Sequence, residues 1–513
     1  MESLEPIASK VLLFSDFYDN FQVFNKTGAT LRLAYLLRKE GLTVRSVHHC
    51  TSFTNQEIEY IIDSFSAGEP IVVCISTSFL GPMNGSIGKK NKYFVRGAED
   101  DPELCEPGLY WGEVYDFLTR LGDILKARNI PTLMGGWKMM KSRFVQLDQH
   151  NAWGWDKLSE FVDYYVIGAS IQPIIDFCNG KQLEHTQYQS AKVVITPSVI
   201  TDFADCASTP LPEDCIGINE ALMTEVASGC VFDCSFCDYK GLGKRKADNL
   251  RSYDSLKREI QSNYDNFKTR FYTLTDNMIN DYDDKLRYLA RIRDETGIDL
   301  RWTGAARLDV ISKKADAQLF IDAGCAGLVM GIESMKKEVG PYIAKMTDRN
   351  KLIGLLNQFR DVVGDTVLIS GSFITGLPTE TREEVFKTYQ WLQTDEGRNC
   401  IDSYTFTTLF IHDHKPTQSF KDYTKTDNKR WISPWGTYES FNDLANYFNE
   451  QRSNMVAGFS IPDYHNLGLN VEDVVAAVRK HNRTGFKHTH FLKKLHANKD
   501  DKINEYKRKV LAL

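Results

Sequence analysis

The sequence predicts an α/β chain in three parts: an N-terminal doubly wound parallel sheet of the flavodoxin or Rossmann kind, a partial six-stranded (β/α) barrel, and a mostly helical C-terminal extension. Two observations predict it. Short apolar runs alternate with stretches of helical period along residues 1–185, and the same alternation resumes along 219–415. Between them, residues 186–218 carry Pro197, Pro210 and Pro212 with few helical patterns and read as a linker, while 416–513 lack the alternation. A 513-residue chain with 42% hydrophobic and 25% charged residues is long enough for two or three separate cores.

In the first part, strands are expected at 10–15, 43–47, 70–76, 131–134 and 161–167, with helices at 27–40, 55–65, 112–128 and from 168 to 179. Strands followed each by a helix or crossover argue for parallel pairing, and such sheets bind ligands beyond the carboxyl ends of their strands. The stretch 81–108, rich in Gly, Lys and Asn, reads by its length as a mobile flap. In the second part the strands fall at 221–226, 270–274, 299–304, 327–331, 366–374 and 403–410, separated by helices at 255–267, 283–296, 313–323, 350–363 and 381–393. Barrels of this construction place their chemistry at the strand C-termini.

The first of those barrel strands leads into Cys230, Cys234 and Cys237, spaced CxxxCxxC. Three thiolates on one short loop can hold three irons of a four-iron four-sulfur cluster, and the spacing supplies no fourth cysteine, so one iron is left open. The alternative is a zinc-stabilised, non-catalytic nucleic-acid or protein binding module. A zinc knuckle needs four ligands, and no second short CxxC-like turn accompanies the three cysteines. The other cysteines are scattered, several within apolar runs where cysteine is a small core residue.

With the aromatic Phe236 before the third cysteine, the motif resembles that of the radical SAM superfamily. The resemblance implies that Cys230, Cys234 and Cys237 ligate the cluster, that S-adenosylmethionine chelates the open iron, and that its reductive cleavage yields a 5'-deoxyadenosyl radical. It continues along the barrel's strand ends. Asp276 and Asn277 stand where the family often has a Gly-Gly-Glu-like segment for the methionine amino group, and Asp276 can accept from an ammonium. After the third strand come Trp302 and Arg307, and an arginine fork suits a carboxylate. Glu333 and Ser334 lie in a Gly-Ile-Glu-Ser segment near the methionine and ribose groups, and Gly376 lies in the segment 372–381 beside the adenine, where Thr379 replaces the family's glycine. Each also has a plainer reading: Asp276 caps a helix, Glu333 pairs with a base, Arg307 braces the barrel.

The first part is similar to the cobalamin-binding domain that precedes the barrel in one large class of these enzymes. The similarity rests on Ile75 to Leu80, Met134 to Trp137 and Asp163 to Ala169, and implies that Ser76, Leu80, Gly135 and Gly136 contact the corrin's nucleotide tail. The class's cobalt-ligating DxHxxG signature is missing, because residues 16–28 contain no histidine. Some members lack it and still bind cobalamin. The reaction then implied is cobalamin-dependent methylation of an unactivated centre; without cobalamin it is a rearrangement, cyclisation or other radical modification. Either needs an electron donor such as flavodoxin or ferredoxin.

No run approaches the ~18 apolar residues of a membrane span, and a net charge of -6 excludes a generally basic coating for nucleic acid. An odd number of cysteines without framework spacing fits a reducing cytoplasm. In the extension, 426–443 is rich in aromatic residues, helices are expected through 456 and at 471–479, and residues 480–513 hold ten Lys and Arg against three acids. Such a tail reads as a solvated helical face or as a patch for nucleic acid or an acidic partner; no recognised nucleic-acid module accompanies it, which favours the former.

Overall fold

The computed structural model describes residues 5–16, 26–77, 109–136, 158–188, 190–197, 203–237, 250–311, 314–409, 420–425, 431–451, 461–466 and 489–513, with the single positions 468, 473 and 476. Leu80, the stretch 81–108 and most of the helix expected at 471–479 lie outside these residues.

β1 (Lys10–Phe14), β2 (Thr43–Val47), β3 (Ile71–Ser76), β4 (Thr132–Gly135) and β5 (Tyr164–Ile167) are parallel neighbours in the order β2-β1-β3-β4-β5. Alternate residues on each strand enter separate cores, as the two-residue period of a strand requires. Leu12, Phe14, Val73, Ile75 and Met134 face the helices Asn55–Ser66 and Leu109–Ala127, while Val11, Leu13, Val72, Cys74 and Leu133 face the helices Gly28–Lys39 and Gln172–Cys178. Burial on both faces explains why these strands read as nearly continuous apolar runs.

The sheet is wider than the sequence indicates. β6 (Thr186–Tyr188) and β7 (Ala191–Ile195) form a hairpin within the stretch read as a linker, and β7 adds in parallel to β5. These strands are short and no helix separates them from Pro197, so periodicity alone did not mark them.

The second sheet runs β8 (Leu222–Thr224), β9 (Phe271–Leu274), β10 (Arg301–Arg307), β11 (Cys325–Glu333), β12 (Leu368–Thr375) and β13 (Ser403–Thr408), paired in parallel in that order. Among the described residues β8 and β13 do not pair, so the barrel is partial. Intervening helices start on side-chain caps: Ser252 accepts from Ser255 N, Asp348 from Lys351 N and Thr381 from Glu384 N. Trp302 is fully buried within β10, its indole N–H donating to Ala323 O at 2.7 Å, and therefore belongs to the core rather than to a strand end.

In the extension, Phe441 and Phe448 of the helix Tyr438–Gln451 join the barrel's core. The helix Thr489–Leu511 returns to the first sheet, where Tyr506 and Val510 enter the core beside Phe53 and Ile58. The cationic tail is thus not solvated all round: Tyr506 OH accepts from His48 N at 2.8 Å, and Lys507 pairs with Glu57 at 2.8 Å. Among the described residues no helix is long and apolar enough to cross a membrane.

Candidate active site

The cysteine loop leaves the C-terminal end of β8, and the turn after β9 holds its root. Asp276 accepts from Val226 N and Ala227 N, each at 2.8 Å, and Val231 N reaches Asp281 at 3.4 Å. The buried Lys285 lies 3.3 Å from Asp276 and 2.7 Å from Asp281, and donates to Met278 O at 2.7 Å. Burial raises the Asp276 carboxyl to about 6, against the pull of Lys285 and the two backbone donors. Asp276 thus brackets the root of the loop, each of its oxygens accepting one backbone N–H with the Lys285 ammonium beside them.

Cys230, Cys234 and Cys237 are half-exposed, whereas Cys50, Cys74, Cys178, Cys206, Cys215, Cys325 and Cys400 are buried. The loop is pinned by Ser235 Oγ donating to Tyr342 O at 2.5 Å and by the turn from Cys237 N to Cys234 O at 3.1 Å. Phe236 packs against the apolar group of Val339, Ile343, Leu377, Phe420 and Tyr423. Burial raises the Cys230 thiol pKa, aided by Asp281. Among the described residues no three His, Cys, Asp or Glu side chains are gathered as a single bound ion would gather them. Each cysteine of a cubane cluster holds a different iron, which needs no such convergence.

Arg307 closes β10, where its N–H and C=O are clamped by Asn280 at 2.8 Å each. Its guanidinium grips Asp309 at 2.5 and 2.8 Å, donates to Ala344 O at 3.3 Å and to Cys234 Sγ at 3.4 Å, and lies over the Phe232 ring at 4.1 Å. Burial opposes its charge, but Asp309 outweighs that and the pKa rises. Four of its five N–H donors are thus directed at partners within the chain.

At the end of β11, Glu333 adopts φ 64°, a left-handed backbone, where pairing with β12 shifts by a residue. Its carboxylate meets the buried Lys345 at 2.8 Å. Ser334 Oγ donates to Glu380, and Gly376, at φ 82°, accepts from Tyr423 OH through its carbonyl. Three buried polar atoms that follow β9 and β12, Asn277 Nδ2, Thr379 Oγ1 and Glu380 Oε2, have no partner among the described residues. Unpaired buried polar atoms are costly, and a polar ligand at these strand ends would satisfy them.

A cavity of about 290 Å³ lies beyond the carboxyl ends of β1, β3, β4 and β5, with Ser76, Gly135, Gly136 and Gly168 on its wall. Two of its lining residues, Glu225 and Ser228, come from the root of the cysteine loop, so the cavity sits between the first sheet and the barrel. Arg32, from the helix Gly28–Lys39, meets Glu225 across it at 2.6 Å. Arg32, Glu225 and Ser228, like Asp309, Lys345 and Glu380, escaped sequence reading because they lie outside the motifs or inside them without a recognisable partner.

The sequence model of the Radical SAM superfamily matches residues 224–392. An uncharacterized methyltransferase of Pyrococcus horikoshii is 26% identical over 254 residues, covering 48% of this chain and 52% of that protein. A hopanoid C-2 methylase of Rhodopseudomonas palustris is 24% identical over 163 residues, 31% of this chain and 30% of its own length. The chain thus spans about half or less of these curated relatives. Among solved structures, the radical S-adenosylmethionine methyltransferase TsrM of Kitasatospora setae, with cobalamin and a [4Fe-4S] cluster bound, aligns over 98% of this chain and 99% of its own with a TM-score of 0.56 at 14% identity. The cobalamin-dependent S-adenosylmethionine radical enzyme OxsB aligns over 88% of this chain and 57% of its own with a TM-score of 0.52 at 14% identity. At these identities the likeness is one of fold.

Proposed function

We propose, from the premise that residues 224–392 are a radical SAM domain, that the chain is an enzyme that methylates an unactivated centre with S-adenosylmethionine, a four-iron four-sulfur cluster and cobalamin. The cavity carries this reading. It lies at the strand ends where doubly wound sheets take ligands, and part of its wall is the root of the cysteine loop. A cofactor there would stand beside the cluster's site. The names of the methylase relatives and of the cobalamin-bound TsrM structure support the same reading.

Cys230, Cys234 and Cys237 would hold the cluster, and Asn277, Ser334, Thr379 and Glu380 offer the polar atoms for S-adenosylmethionine. Ser76, Gly135, Gly136 and Gly168 would receive a nucleotide arm, since a cavity of about 290 Å³ suits an arm rather than a whole corrin. When bound, the cluster supplies an electron to the sulfonium and cobalamin supplies a methyl group. The chain's own part is to seat and orient. Asp276 and Lys285 fix the loop root, and the Arg32–Glu225 pair ties the first sheet's helix to that same root. The reading requires a substrate with an unactivated carbon and an electron donor of the flavodoxin or ferredoxin kind.

The test begins with anaerobic purification, which should give a brown protein with about four iron atoms per chain, and replacement of the three cysteines by alanine should abolish both. Mixed with hydroxocobalamin under reducing conditions and desalted, the parent should retain about one equivalent, and Gly135→Leu should lose it. Iron without retained cobalamin removes methyl transfer and leaves a cobalamin-independent radical modification. Zinc without iron after reconstitution sinks the enzyme reading altogether.

A further inference from the structure

We propose that Arg307 and Asp309 together set how readily the cluster accepts its electron. This rests on the reading that Cys230, Cys234 and Cys237 ligate a cluster. Arg307 reaches the sulfur of Cys234 at 3.4 Å, and its plane covers Phe232 at 4.1 Å. Of the five N–H donors of a guanidinium, one goes to this sulfur, two to Asp309, and one to Ala344 O. Asp309 is fixed in turn by Met346 N at 3.2 Å. The arginine is thus held beside a ligating sulfur by a carboxylate that also offsets part of its charge.

Cluster potentials follow net charge and the hydrogen bonds made to the sulfurs. Reduction adds one negative charge, so a nearby cation and an N–H donor to sulfur both favour the reduced form. With the guanidinium buried, water screens this effect less than at a surface. Asp309 acts in the opposite sense. The two residues therefore have opposite signs, which a bracing role for the barrel would not give. The electron itself comes from a one-electron donor of the flavodoxin or ferredoxin kind, oxidised by one electron as the cluster is reduced by one; no bond forms or breaks in that step.

The experiment is a potentiometric titration of the anaerobically reconstituted full chain without S-adenosylmethionine, following the reduced cluster by electron paramagnetic resonance. Iron analysis accompanies every variant. Arg307→Gln should shift the midpoint to more negative potential, Asp309→Asn should shift it positive, and Arg307→Lys should fall between parent and Arg307→Gln. A fully loaded Arg307→Gln protein with the parent's midpoint overturns the proposal. Should Arg307→Gln fail to load iron, Asp309→Asn decides: a positive shift supports the proposal, and an unchanged or negative one overturns it. A parent without iron would instead remove the cluster reading on which this rests.

Discussion

The carboxyl of Glu380 is buried beside the hydroxyl of Ser334, which donates to one of its oxygens, while its other oxygen has no partner among the described residues. Lys336 turns its ammonium to Thr379 O at 2.6 Å instead. Burial is the main cause that raises the Glu380 pKa from 4.5 to about 8, with Ser334 and Lys336 opposing it. The folded state therefore keeps a proton that the unfolded chain releases, and the stability this contributes is fully present below about 4.5 and is lost as pH rises through 8. Urea unfolding between pH 5 and 8 should show the stability of the parent declining, relative to that of Glu380→Gln, which cannot ionise, as pH rises; the buried His48 and His49, held below their ordinary range by burial, add the same opposite slope to both proteins. Equal slopes in both proteins would refute the assignment. Glu380 lies within the segment 372–381 that its resemblance marked, but its burial was not readable there. Arg307 and Asp276 teach the same lesson. A motif places a side chain at a strand end, whereas its partners are set by the folded surroundings, whether near in sequence as Asp309 is to Arg307 or distant as Val226 and Ala227 are from Asp276.

At the scale of elements, two glycines at strand ends separate a cost in stability from a cost in site geometry. A Cβ on Gly168, at φ 132°, would lie 2.0 Å from Thr196 Oγ1, 2.5 Å from Thr196 O and 2.8 Å from Pro197 O. Two of these are backbone atoms, which cannot swing away. Gly168→Ala should therefore cost about 2–3 kcal/mol or more, from overpacking and the left-handed backbone together. A Cβ on Gly331 would meet Glu333 Oε1 at 2.5 Å and Lys345 Nζ at 2.8 Å, both ends of flexible side chains. Gly331→Ala should lose less than about 1 kcal/mol of stability, since these ends can move, while displacing the Glu333 carboxylate from Lys345, which under the proposed function would weaken S-adenosylmethionine binding. Thermal unfolding and equilibrium binding on both variants check the contrast, and similar losses of stability in the two would contradict it. The elements themselves were largely legible: Thr43–Val47 and Asp283–Thr296 stand where their periodicity put them. The hairpin of β6 and β7 was not, because no helix separates its two strands, whereas the equally short Thr43–Val47 stands between the helices Gly28–Lys39 and Asn55–Ser66.

Over the whole molecule, the first sheet's helix Gly28–Lys39 and its lead-in are tied by three ion pairs, at six-residue intervals, to the segment that leads into the barrel and to the root of the cysteine loop. Lys26 meets Glu220 at 2.5 Å, Arg32 meets Glu225 at 2.6 Å and Arg38 meets Asp214 at 2.8 Å, all largely or fully buried. Gly28 lets the same helix close on the barrel, since a Cβ there would stand 2.7 Å from Met223 Cβ of β8. The order of the parts was legible in the sequence. Their joining was not, because a charged residue on an amphipathic helix reads as solvent-facing until its partner is known. The third pair gives the clearest test. Asp214 is fully buried and accepts from both Arg38 terminal nitrogens, from Ser46 Oγ at 2.6 Å and from Leu211 N at 2.8 Å. Removing the arginine alone leaves a buried carboxylate without its cation, which costs about 3–5 kcal/mol, whereas removing both charges avoids that penalty. Arg38→Met should accordingly lower the urea midpoint strongly, and Arg38→Met with Asp214→Leu should recover much of the loss. Because Asp214 sits in the connection between the first sheet and β8, the loss should register in both halves, read by hydrogen exchange along β1 to β3 and along β9 to β12. A drop confined to one half, or a double variant no better than the single, would show that this pair does not couple the two sheets.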